Sequence, residues 1–245
     1  MDRIDVINAV LKATGAITYV EIGVRYGTVF MSIRAKRKIA IDPQFAIPLW
    51  KRFAYPQNFF HSKFFEVTSD AFFDQHAAMF DGAPIDVAFI DGLHTYGQSL
   101  KDVENCLRFL SPTGVIVMHD CSPPSAAATL PTLEEAIRVP GNNAWCGDVW
   151  KTIVRVRSSH SDLSACVLDC DYGVGIITRE RNTDRLSLTP DQISGLTYAD
   201  MDRERLRYLN LKSPEHLDEI CHRLRIAATA HADHGQSLAG SGRAP

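Results

Sequence analysis

The sequence predicts an α/β protein: a doubly wound, mostly parallel sheet of seven strands, ending in a β-hairpin and followed by a short helical extension. Two observations lead to that architecture. Strand-length apolar runs alternate with segments of helical apolar spacing through the first 120 residues, and such alternation builds a parallel sheet with helices on both faces. The run Ile85–Asp91 is almost wholly apolar, and so is Gly114–Asp120 until its last two residues. Strands covered on both sides read this way.

The elements follow in order. Val6, Ile7, Val10 and Leu11 repeat at helical spacing over Asp5–Lys12, and Gly15 ends this lead-in helix. The first strand, Ile17–Ile22, passes through Glu21 into a turn carrying Gly23 and Gly27, then into a helix from about Thr28 with Val29, Phe30 and Ile33 as its buried face. Glycine in such a turn admits positive φ and lets a ligand approach the backbone. Two glycines also fit an ordinary strand-to-helix turn, so the pattern alone does not decide. Lys38–Ile41 is the second strand, ending in Asp42 and stopped by Pro43. Glu21 and Asp42 are separated by about the ~20 residues at which a nucleotide-binding βαβ unit offers a carboxylate to ribose hydroxyls. That spacing favours a ligand cradle.

Phe64–Thr68 reads as a third strand, and Asp70–Met79 as a helix capped by Ser69 or Asp70. Ile85–Asp91 is the fourth strand, Tyr96–Leu110 a helix with Leu100, Val103, Leu107 and Leu110 on one face, and Gly114–Asp120 the fifth strand. The excursion from Cys121 to Trp150 contains one capping box, Thr132 to Glu135, and its length marks it as functional or disordered. Val149, Ile153 and Val156 favour a helix over Asp148–Val156, although Thr152-Ile153-Val154 also suits a strand. Ser164–Asp169 and Gly173–Thr178 form the hairpin. Beyond a polar linker come helices at Asp200–Tyr208 and from Ser213-Pro214, the latter carrying an apolar stripe of Leu217, Ile220 and Leu224 for the body or a partner. The expected organisation is a core domain over 1–180 with a ligand-side loop at 121–150, a helical extension over 181–228, and a disordered tail over 229–245.

Composition narrows the function. The 245 residues are 45% hydrophobic and 22% charged, as in soluble globular proteins. A formal net charge of -3 leaves no global basic footprint for nucleic acid. The one basic run, Arg34–Lys38, complements the carbonyls at the end of the preceding helix. No apolar run approaches the ~20 residues of a membrane span, and the N-terminus lacks a signal peptide's regions, so a cytoplasmic location is expected. Six cysteines are scattered without a C-x-x-C pair, which predicts reduced, mostly buried thiols.

Chemistry is expected where strands end. Asp91 ends the fourth strand, with His94 and Tyr96 in the loop behind it, and His119 and Asp120 end the fifth. Adjacent strands lie ~4.8 Å apart, so these groups must crowd the crevice into which the Glu21–Gly27 turn opens. Singly they read as turn, cap or structural residues. Jointly they predict a catalytic or metal-binding role for at least two.

These residues carry a resemblance. Glu21-x-Gly23-x-x-x-Gly27, Asp42, Phe89-Ile90-Asp91-Gly92-Leu93-His94-Thr95-Tyr96, Gly114–Asp120 and Trp145-Cys146-Gly147-Asp148-Val149-Trp150-Lys151 together resemble the class I S-adenosylmethionine-dependent methyltransferases, and within them the bacterial methyltransferase-24 group. The likeness spans roughly Ile17–Thr178. It implies a Rossmann-like fold in which Glu21, Gly23 and Gly27 enclose the methionine part of the cofactor, Asp42 holds the ribose, Ser69 and Asp70 contact adenine, and Asp91 adjoins the same pocket. It also implies O-methylation of a small-molecule or sugar hydroxyl, walled by the 123–150 excursion with Trp145 and Trp150. Related enzymes hold Mg²⁺ on carboxylates matching Asp91 and Asp120, but Cys121 stands where some have Asn or Asp, and a thiolate suits a hard cation poorly. Two versions stay open: Mg²⁺ on Asp91 and Asp120 with help from His119 or water, or a metal-free site with His94 or His119 as base. A homo-oligomer is compatible with either. The alternatives are a non-catalytic module that keeps the fold for partner binding, and an NAD-dependent oxidoreductase. The wider glycine spacing, unlike G-x-G-x-x-G, disfavours the latter.

Overall fold

A computed structural model describes residues 1–53 and 61–240. The strands are β1 Thr18–Ile22, β2 Arg37–Ile41, β3 Ser62–Phe65, β4 Ile85–Ile90, β5 Leu110–Met118, β6 Ser164–Leu168, β7 Val174–Thr178 and β8 Leu211–Lys212. They form one sheet in the order β3-β2-β1-β4-β5-β7-β6-β8. β1 to β5 are parallel, β7 runs antiparallel between β5 and β6, and β8 lies parallel on the outer edge of β6. The doubly wound class stands, with an eighth strand added. Two residues are too few to show any periodicity, which is why β8 left no mark in the sequence.

Chain order reverses beside β1, where β2 pairs on one side and β4 on the other. A crevice opens at such a switch point, beyond the carboxyl ends of the strands. The sheet is covered on both faces, and alternation within each strand divides the core. Val20, Ile22, Ile39, Ile41, Ala88 and Ile90 face one side; Tyr19, Ala40, Val87 and Phe89 face the other.

Several boundaries move for identifiable reasons. The third strand is Ser62–Phe65, not Phe64–Thr68. Thr68 caps the Ser69–His76 helix by accepting from the Ala71 N–H, so neither Ser69 nor Asp70 is the cap. Ser69 instead spends its hydroxyl on Asp102. Of the basic run, Arg37 and Lys38 begin β2 rather than ending a helix, yet Lys38 Nζ still donates to the Phe30 carbonyl of the Thr28–Ser32 helix at 2.5 Å. The segment after the excursion is helix, Trp150–Ser159. All six cysteines are free, and all but Cys170 are buried.

Beyond the hairpin come helices Pro190–Gly195, Tyr198–Arg203 and Arg205–Leu209, the last two splitting the expected Asp200–Tyr208 segment at Glu204. The last helix, His216–Gly240, runs past Thr229, where small polar residues predict a disordered tail; residues 241–245 lie outside the described residues. Its Leu217, Ile220 and Leu224 pack with Val6, Ile7 and Val10 of the N-terminal helix Arg3–Thr14. The stripe therefore docks on the body.

Candidate active site

The turn after β1 is built for close approach. Gly23 has φ 89°, its N–H donates to the Ile41 carbonyl at 2.9 Å, and a Cβ there would sit 2.0 Å from the Asp91 carbonyl oxygen. The β1 and β4 turns thus touch through backbone alone. Glu21 is buried beneath them and accepts from the Tyr19 hydroxyl at 2.5 Å. Burial pushes Glu21 up to about 8, against the Tyr19 hydrogen bond, and the same burial brings neighbouring Lys38 down to about 8.

One step outward, Asp42 ends β2 with its carboxylate fixed by two backbone donors. The Arg25 N–H reaches Oδ2 at 2.8 Å and the Gln44 N–H reaches Oδ1 at 2.7 Å. Beyond it lies a polar network joining two helices. Ser69 Oγ donates to Asp102 Oδ1 at 2.6 Å, and Gln98 Nε2 lies 3.0 Å from that oxygen, 3.2 Å from Asp70 Oδ1 and 3.2 Å from Ser69 Oγ. Lys101 pairs with Asp70 Oδ2 at 2.6 Å. Asp102 is 1% exposed, and burial pushes its carboxyl up to about 6 despite the hydrogen bonds from Ser69 and Gln98.

The β4 and β5 ends bring together the predicted acid and imidazole groups. His94 Nε2 is 3.5 Å from Asp91 Oδ1, while its Nδ1 is 3.2 Å from Asp120 Oδ2 and donates to the Trp145 carbonyl at 3.0 Å. His119 Nδ1 is 3.2 Å from Asp120 and 3.5 Å from Asp91, and its Nε2 is 3.6 Å from Asp171. Burial opposes charge on both rings. The carboxylates outweigh it, raising His94 above its ordinary value and His119 to about 11. Arg3 Nη1 also lies 2.7 Å from His119 Nδ1, which would require an acceptor at that nitrogen. The two demands conflict, and we assign imidazolium because carboxylates face both ring nitrogens. Arg3 is itself held by Asp171, through its backbone N–H at 3.0 Å and its Nε at 3.4 Å.

Ligand atoms of Asp91, His94 and Asp120 all lie within 4.8 Å of one another. Two carboxylates and an imidazole suit a divalent cation. Cys121 does not join them. Asp120 takes φ 60°, the Cys121 N–H donates to the Gly173 carbonyl, and the thiol is fully buried, with burial and then Asp120 raising its pKa.

All the predicted site residues except Gly27 line one cavity of about 1030 Å³: Glu21, Gly23, Asp42, Ser69, Asp70, Asp91, His94, His119 and Asp120. At Gly27 a Cβ would meet the Ile47 side chain at 2.4 Å. Trp145 lines the cavity and stacks on His94, with ring centroids 4.5 Å apart, whereas Trp150 is core, 1% exposed. Arg3, Gln98, Asp102 and Asp171 also line the cavity and were missed. They sit in helices and a hairpin turn, where no local pattern marks a ligand-facing residue.

Residues 20–121 match the methyltransferase-24 family model, described as a methyltransferase domain. A search of curated proteins finds no match. Among solved structures, the chain is similar to the O-methyltransferase TomG from Streptomyces achromogenes, involved in tomaymycin synthesis and bound to S-adenosylmethionine, at 15% identity and TM-score 0.52, covering 71% of this chain and 78% of that one. It is also similar to an O-methyltransferase from Bacillus cereus in complex with S-adenosylhomocysteine, at 14% identity and TM-score 0.50, covering 71% and 79%. An S-adenosylhomocysteine-bound methyltransferase from Podospora anserina aligns at 15% identity and TM-score 0.50, covering 74% and 80%. At such identities the likeness establishes the fold.

Proposed function

We propose that the protein transfers a methyl group from S-adenosylmethionine to a hydroxyl of a small-molecule or sugar acceptor, a reading supported by the match of residues 20–121 to the methyltransferase domain model. The observation that carries this reading is Asp42, fixed by the Arg25 and Gln44 amides at the rim of the cavity that Gly23 opens. Its remaining lone pairs suit a pair of ribose hydroxyls. The absence of a third glycine for a pyrophosphate seat favours a cofactor without phosphates.

When bound, the cofactor supplies an electrophilic methyl group on a sulfonium. The chain's own residues align the partners and manage one proton. His94 keeps a proton on Nδ1, donated to the Trp145 carbonyl, and the Asp91 carboxylate beside Nε2 favours a second one there, so the ring takes up a proton at Nε2 only from its neutral form. His119, held charged by Asp120, Asp171 and Asp91, acts as a fixed donor and not as a base. Glu21, buried and bonded to Tyr19, orders the turn. A divalent cation held by Asp91, His94 and Asp120 would lower the acceptor hydroxyl's pKa. A metal-free site with His94 as base is the second reading, and the Trp145 contact that fixes its tautomer favours it.

Calorimetric titration tests the cofactor. S-adenosylmethionine is expected to bind, NAD⁺ to give no heat, and Asp42→Ala to weaken the sulfonium ligand at least about tenfold. Heat with NAD⁺ alone would overturn the proposal. For the cation, full turnover after treatment with a chelator would eliminate it and leave His94 as base. Cofactor binding with no methylated product in a broad acceptor screen by mass spectrometry would favour a binding module instead.

A further inference from the structure

The turn of the β6–β7 hairpin carries three successive residues in the left-handed region, Asp171 at φ 47°, Tyr172 at φ 60° and Gly173 at φ 89°. Glycine adopts that conformation freely and aspartate tolerates it, but for a bulky tyrosine it is an outlier. Such a conformation persists only where the surroundings impose it. Here they do so from two sides. The Ser122 N–H donates to the Tyr172 carbonyl at 2.8 Å and the Cys121 N–H to the Gly173 carbonyl at 3.0 Å, while Arg205 Nη1 holds Ser122 Oγ at 2.7 Å. On the other side, Asp171 takes the Arg3 N–H at 3.0 Å and faces Arg3 Nε at 3.4 Å.

The side chain displayed by this turn does not enter the core. Tyr172 is 42% exposed, lines the main cavity and stands edge-on to the His119 ring, with centroids 6.3 Å apart. Tyr26, Leu93 and Leu133 line the same cavity and are exposed as well. Polarity therefore changes with depth: His119 and Asp120 are buried at the floor, and large apolar side chains stand at the mouth. We infer that Tyr172 is a specificity-determining residue that seats the apolar body of the methyl acceptor, so that the reactive hydroxyl is carried on an aromatic or other apolar group and not on a free sugar. The inference rests on the methyl-transfer reading, in which that hydroxyl reaches the floor. Glycine would satisfy the turn without strain; what tyrosine adds is a rigid apolar face beside the reacting groups. Leu93 and Leu133 offer no hydrogen bond to the hydroxyls that surround a free sugar.

The full chain is assayed by mass spectrometry with S-adenosylmethionine and a panel of hydroxylated aromatic rings and monosaccharides, each sugar given both free and as its phenyl glycoside. Wild type is expected to methylate the ring-bearing members with kcat/KM at least about tenfold above the free sugars. Tyr172→Gly, which relieves the turn, is expected to unfold at no lower urea concentration than wild type and to bind S-adenosylhomocysteine unchanged, yet to raise KM for the ring-bearing acceptors at least about tenfold. Tyr172→Phe is expected to keep the wild-type KM. A glycine variant with a lower urea midpoint and unaltered KM would show that the ring only supports the fold, and would overturn the inference. Free sugars methylated by wild type as readily as their phenyl glycosides would also overturn it, whether or not the variants fold, while leaving methyl transfer intact. Binding of S-adenosylhomocysteine with no member of the panel methylated would overturn it and leave the cofactor reading standing. Failure of wild type to bind S-adenosylhomocysteine would overturn both.

Discussion

Gly23 and Gly27 share a left-handed backbone, at φ 89° and 73°, but they face different obstacles. A methyl on Gly23 would strike the Asp91 carbonyl, which cannot retreat without pulling apart the paired β1 and β4 ends. A methyl on Gly27 would strike Cδ1 and Cγ1 of the Ile47 side chain, and no backbone atom is among its nearest neighbours. Both changes incur the positive-φ penalty of about 1–3 kcal/mol, and Gly23→Ala adds a backbone collision. Gly23→Ala is therefore expected to cost at least about 1 kcal/mol more than Gly27→Ala in urea unfolding, and to abolish S-adenosylhomocysteine binding. Gly27→Ala should bind within severalfold of wild type. Equal loss of binding in two equally stable variants would restore to Gly27 the ligand role that the sequence pattern implies.

At the scale of elements, the Trp150–Ser159 helix ties the sheet to the C-terminal extension through one charge. Arg157 is 1% exposed. It donates to the Tyr208 carbonyl at 3.0 Å, to the Arg207 carbonyl, and to both the carbonyl and carboxylate of Asp184 at 2.7 Å. Arg157→Ala would leave buried carbonyls unpaired at a cost of about 2–4 kcal/mol. Arg157→Lys should recover less than half of it, because one ammonium cannot span acceptors on both sides of a planar fork. Urea midpoints, with limited proteolysis of the 180–210 segment, check both. The helix itself was legible from Val149, Ile153 and Val156, but the anchor was not, since helical spacing marks apolar faces only. The site divides in the same way. Asp42, Asp91, His94, His119 and Asp120 were legible because parallel strands deliver their carboxyl ends to one edge. Arg3 and Asp171 meet across a separation of 168 residues, and Asp102 meets Ser69 across 33. Those contacts depend on how helices and a hairpin pack, which no local pattern encodes. Cys121 was legible as a departure from the expected ligand, but its turn into the core depends on the positive φ of Asp120 and on the hairpin at Gly173.

For the whole molecule, the chain after the hairpin shares both cores and is not a detachable appendage. Leu186, Ile193, Met201, Tyr208 and Leu209 pack in the cluster that holds Trp150 and Ile153, and β8 extends the sheet. Leu217, Ile220 and Leu224 cover Val6, Ile7 and Val10. That second contact reaches the site, because the helix it supports begins at Arg3, against His119 and Asp171. A chain ending at Lys212 loses the cover. Burying three such side chains is worth about 2 kcal/mol each, so the loss is comparable to the roughly 5–15 kcal/mol that holds a domain folded. The truncated chain is expected to lose its cooperative melt and its near-ultraviolet circular dichroism. A chain ending at Thr229 keeps the stripe and is expected to melt within a few degrees of the full chain with unchanged S-adenosylhomocysteine affinity. Native melting of the shorter chain would show that the N-terminal helix holds its place, and with it Arg3, without the last helix.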